Sequence, residues 1–117
     1  MSQEPTLEQH LEHLDSSIKH SQREVELATA LARLRNNRDW KKLIDGHYML
    51  THVADLVKGS AAPSAQREDV RKDIERDIAG VGSFHQFLVT TEMGGQHALQ
   101  AIDECNEMRE ELLAAGE

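Results

Sequence analysis

The sequence predicts an all-α fold, and three observations carry that expectation. Strand-forming runs of Val, Ile, Tyr and Thr are missing, and the nearest, Phe87 to Thr91, sits inside a longer helical pattern. Only two prolines occur, Pro5 and Pro63, both where helices begin or break. Apolar residues recur at steps of three and four through most of the chain. The 117 residues suffice for a single domain. With 38% hydrophobic and 3% aromatic residues, that domain has a thin core.

The first helix opens at Thr6, whose spacing from Gln9 is that of a capping box. Leu7, Leu11, Leu14, Ile18, Val25, Ala28 and Ala32 then alternate steps of four and three, interrupted at Ser21. Leu27, Leu31 and Leu34 add a second apolar stripe in the later half. A helix of about 30 residues would span about 45 Å. Its front half has the narrow seam of a coiled coil and its later half the broader face of a core helix. Residues 1–24 are therefore expected as a coiled-coil arm and residues 25–117 as the helical core. The seam of Leu7, Leu11, Leu14 and Ile18 packs either on another chain or on the far C-terminal helix.

The stretch RNNRDWKKLIDGHYMLTHVADLVKG, residues 35–59, holds the single Trp and the single Tyr, Trp40 and Tyr48. Asn36 and Asn37 end the first helix or cap the next. A short helix over about 38–45 would bury Trp40, Leu43 and Ile44, with Gly46 as its left-handed stop. A second over about 48–58 would bury Met49 or Leu50, Val53, Leu56 and Val57, with Gly59 in the same role. GSAAPS, residues 59–64, reads as a linker. Ser64 can cap a charged helix carrying Val70, Ile74 and Ile78, which Gly80 and Gly82 break or kink. Ser83 then caps a last helix with Phe84, Phe87, Leu88, Met93, Ala98, Leu99, Ile102, Cys105 or Met108, Leu112 and Leu113. Gly94 and Gly95 inside it each cost about 1 kcal/mol against Ala, which suggests a kink or close contact with another helix. The expected architecture is a long N-terminal helix, a short helical hairpin and two further helices, joined as an antiparallel bundle with an extended arm.

Charge and motifs exclude several functions. A net charge of −8 argues against phosphate-backbone binding and against docking on an anionic membrane. The one basic cluster is Arg33, Arg35, Arg38, Lys41 and Lys42, but YMLTHVADLVK carries one Lys and no Arg, a poor recognition helix. An acidic DNA mimic is opposed by the Arg and Lys mixed along the middle helix. Seven histidines invite a metal site, yet Glu-x-x-His and His-Glu-x-x-His are both missing, so no metal is expected. GVG at 80–82 and Gly94-Gly95 lack the preceding strand and the Lys of a phosphate cradle. Cys105 cannot form an internal disulfide, and its neighbours Glu104 and Glu107 do not suit a nucleophilic thiolate. No enzymatic activity and no cofactor are expected. No hydrophobic signal region follows Met1 and no apolar run approaches a bilayer span, so a cytosolic setting is expected.

A resemblance adds a setting. It is carried by Leu31, Leu34, Asn37, Asp39, Trp40, Lys41, Lys42, Leu43, Ile44, Gly46, Tyr48, Leu56 and Val57, then by Ile74, Ile78, Gly80, Phe84 and Phe87. This pattern, over residues 25–110, resembles small helical proteins of tailed bacteriophages whose genes lie among those for virion morphogenesis. The chain departs from it at GHYMLTHVADLV, where relatives carry acidic residues. The resemblance implies a non-enzymatic virion or assembly component. Such a part associates through helices with itself or with other virion proteins, in the host cytoplasm during assembly or in the virion. The alternative is a small phage-encoded regulator or inhibitor that binds a host protein. Trp40 and Tyr48 either wedge the short helices against the long ones or stand exposed as interface anchors, with Arg35, Arg38 and Lys41 in the polar rim.

Overall fold

The structure is a computed structural model that describes residue 4 and residues 6–116; Pro5 lies outside the described residues. The described chain is helical, with no strand. Helix α1 spans Leu7–Arg35, α2 is the single turn Arg38–Trp40, a π-helix covers Lys41–His52, and α3 follows over Val53–Ser60. A 3-10 turn at Pro63–Gln66 leads into α4, Glu68–Ala115. The chain forms two compact units: Met1–Ala30 with Thr91–Glu117, here the hairpin unit, and Leu31–Thr90, here the central unit.

In the hairpin unit the first part of α1 runs antiparallel to the last part of α4. Leu7 lies against Gly116, Asp15 pairs with Arg109, Glu24 reaches Gly94 and Ala28 meets Gly95. Numbers rise on one helix as they fall on the other, which fixes both direction and register. The inward positions follow the same pattern on each side. On α1 residues 11, 14, 18, 21, 25 and 28 are buried or half-buried, and on α4 residues 91, 95, 98, 102, 105, 109 and 112. Both series alternate steps of three and four, the heptad seam of a coiled coil. Ser21 does not interrupt that seam: it is a buried member of it. The start of α1 is held by the expected capping box, in which the Gln9 amide donates to Thr6 Oγ1 (3.2 Å) and the Thr6 amide to Gln9 Oε1 (2.9 Å).

The central unit corrects the expected short helical hairpin. Gly46 does not stop a helix, and residues 38–60 are helical throughout. The reason lies in the period. Trp40, Ile44, Tyr48, His52, Leu56 and Ser60 are half-buried at unbroken steps of four. At 100° per residue each such step drifts by about 40°, so an α-helix would carry the stripe off its face. Hydrogen bonds of i→i+5 type put more residues in each turn and reduce the drift. Gly46 serves this winding by its lack of a side chain: a Cβ there would sit 3.2 Å from the Lys41 carbonyl oxygen. Thr51 Oγ1 also donates to the Gly46 carbonyl, five residues back (3.3 Å).

The two further helices expected downstream are one helix of 48 residues, α4, which runs through Gly80 and Gly82. A glycine stop needs the left-handed conformation, and no described glycine has a positive φ. Ser64 lies within the 3-10 turn, so α4 begins instead at Glu68, with Glu68 and Asp69 favourably placed in its first turn. Lys72 pairs with Glu68 (3.1 Å) and Arg76 with Asp73 (3.7 Å), both exposed and worth tenths of a kcal/mol each.

Asn37 caps the helix that follows it. Its Oδ1 accepts from the amides of Asp39 (2.9 Å) and Trp40 (3.1 Å). Replacing Asn37 with Ala is expected to cost about 1 kcal/mol, read as a lowered midpoint in urea. An unchanged midpoint would mean that the turn is held by packing alone.

Candidate functional site

Two groups of residues were expected to touch a partner: Leu7, Leu11, Leu14 and Ile18 on α1, and Arg38, Trp40, Lys41 and Tyr48 further on. The structure separates them into different units. The first group lies on the α1–α4 seam of the same chain. Leu14 is buried, Leu11 and Ile18 are half-buried, and Leu7 rests against Gly116. Residues 7–24 are therefore paired along their length within the hairpin unit rather than left as a single arm. The heptad spacing that suggested a coiled coil is satisfied by α4, which supplies the matching series.

The second group splits by chemistry. Trp40 and Tyr48 are half-buried and both meet Phe84 from α4. The Trp40 and Phe84 ring centroids are 6.4 Å apart at 48°. Tyr48 meets Phe84 edge-on at 5.7 Å and 85°, an arrangement that the ring quadrupoles favour. Tyr48 also stacks on His52 one turn along, at 5.6 Å and 20°. The two rings thus wedge residues 38–52 against α4, which is the packing alternative of the two raised by the sequence. Phe84 is the residue that sequence reasoning underrated. Its place on the α4 seam, three residues after Val81 and four before Leu88, was the available signal. Among the described residues the buried Trp40 Nε1 has no hydrogen-bond partner, consistent with a ring placed for its apolar area.

Arg38 and Lys41 remain at the surface, as do Arg33 and Lys42. No ion pair among the described residues engages any of these four. Leu34 and Leu43 stand exposed beside them, Leu43 at 62%. Asp39, Lys42, Leu43, Gly46, His47 and Thr51 line an open depression of about 550 Å³ on the outer side of the π-helix. The depression is shallow and its groups do not converge as a nucleophile with a base would.

Among the described residues no three His, Cys, Asp or Glu side chains are grouped to hold a metal ion. Cys105 takes a half-buried position on the seam. Among the described residues no helix is long and apolar enough to cross a membrane. No protein-family model matches this chain, and no curated protein and no solved structure does either.

Proposed function

We propose that this chain is a non-enzymatic assembly part that works by associating, through its helical surfaces, with further copies of itself. The observation that carries this reading is apolar surface left outside the packing. Among the described residues Leu27, Leu43, Leu50, Val57 and Leu99 are each more than half exposed, Leu50 at 67%. Large apolar side chains exposed in this number are what an interface covers. The resemblance to tailed-bacteriophage morphogenesis proteins supplies the setting: a virion component or an assembly factor, acting with itself or with other virion proteins, without a cofactor.

The test is the solution mass by light scattering after size exclusion, at several concentrations. The expected result is a mass at least twice 13.2 kDa that holds or grows with concentration. A monomer at every concentration overturns self-association and transfers the exposed surface to a host protein, as a phage-encoded regulator would use it.

A further inference from the structure

We propose that copies of this chain associate through opposite charges, the acidic outer face of the hairpin unit of one copy docking on the basic surface of the central unit of another. This rests on the self-association reading and adds to it the two surfaces that meet.

The division of charge between the units is the first argument. Residues 1–30 and 91–117 hold thirteen of the acidic and three of the basic residues, a net of −10. Residues 31–90 hold eight acidic and ten basic residues, a net of +2. Composition alone gives −8 and hides this separation.

Each unit presents a matching face. On α4 the positions turned away from the seam between 102 and 112 are Asp103, Glu104, Glu107, Glu110 and Glu111, all exposed. No ion pair holds them among the described residues, and Arg109 is already engaged by Asp15. Leu99 and Met108 flank this face at 56% and 53% exposure. On the central unit, Arg33, Arg38, Lys41 and Lys42 are exposed, and among the described residues none has an ion-pair partner; Leu34 and Leu43 are exposed next to them in the chain, and Asp39 is the one acidic residue in this stretch. Each unit thus presents exposed apolar side chains together with charge mainly of one sign, acidic on the hairpin unit and basic on the central unit. That is the arrangement of a complementary interface.

The signs of the charges select which surfaces meet. Hairpin unit on hairpin unit would set −10 against −10, and self-repulsion opposes it. Acidic face on basic surface satisfies every contact, whether two copies exchange it about a two-fold axis or each copy passes it to the next.

The experiment measures mass by light scattering for the full chain at about 0.05 M and about 0.5 M NaCl. Association should weaken about tenfold or more at the higher salt. One variant carries Arg38→Glu, Lys41→Glu and Lys42→Glu; a second carries Glu104→Lys, Glu107→Lys and Glu111→Lys. Each alone should be monomeric, and an equimolar mixture should assemble again, because both junction types then regain opposite charges. Circular dichroism checks that each variant keeps its helix content. If a reversal unfolds the chain, Lys41→Gln with Lys42→Gln should still weaken association. An oligomer that ignores or prefers salt, variants that assemble alone, or a mixture that stays monomeric overturns the acidic-on-basic contact and leaves self-association standing. A wild-type monomer at both salt concentrations overturns both.

Discussion

Replacing Gly95 with Ala is expected to destabilise the protein by about 2 kcal/mol, the range seen when a packed site is overfilled. The sign is the informative part, because in an open helix the same exchange stabilises by about 1 kcal/mol. At Gly95 a Cβ would fall on the Cβ of Ala28 across the seam, with the Ala28 Cα and the Glu24 carbonyl oxygen each 3.7 Å away. The obstacle is the Ala28 methyl carbon, which is fixed to the α1 backbone and has no rotamer by which to move aside. To admit the methyl group the helices must separate, and contacts along the seam loosen with them. Gly80 and Gly82 on the same helix have no atom within 4 Å of the added carbon. Ala at either site should raise stability by about 0.5–1 kcal/mol. Urea unfolding followed by far-UV circular dichroism reads all three. If Gly95→Ala proves as stabilising as Gly80→Ala, α1 and α4 do not approach closely and the register set out above is wrong.

That contrast shows where local signals in the sequence stop. Gly94 and Gly95 suggested a kink or a close helix contact, and nothing in the one sequence decides between them. The decision comes from residues some seventy positions earlier, Glu24 and Ala28. The seam on α1 was legible because Leu, Ile and Val advertise it. Its continuity was not, because Ser21 is polar and Ser is usually exposed. The helix boundaries at Gly46, Gly80 and Gly82 were misread for one shared reason. A glycine marks a stop only when the chain turns left-handed there, and composition does not report φ.

The surfaces were legible in a similar partial way. The heptad spacing of Leu7, Leu11, Leu14 and Ile18 indicates a partner helix. It cannot say whether that helix belongs to the same chain, since α4 and a second copy would satisfy the same spacing. The basic cluster at Arg33–Lys42 was visible directly. The acidic excess at the two ends of the chain was visible too. Folding adds that those ends, residues 1–30 and 91–117, belong to one unit.

Replacing Phe84 with Ala is expected to cost about 3 kcal/mol. Among the described residues Phe84 is the α4 ring on which both Trp40 and Tyr48 close. Those two residues are eight positions apart, and the helix that joins them is wound so that both face α4. Removing the Phe84 ring leaves Trp40 and Tyr48 without their common contact and opens a gap that neither can fill without rewinding residues 41–52. The effect should therefore exceed loss of buried area alone. It should appear twice: as a lower urea midpoint, and as a red-shifted Trp40 emission in the folded baseline, since the chain has no other tryptophan. Leu50→Ala in the same π-helix, at a side chain 67% exposed, should change stability by about 0.5 kcal/mol or less. Should Phe84→Ala behave like Leu50→Ala, the rings are not packed in solution. Trp40 and Tyr48 would then be free to act as anchors for a partner, and the steps of four that set the π-helix would lose the face they serve.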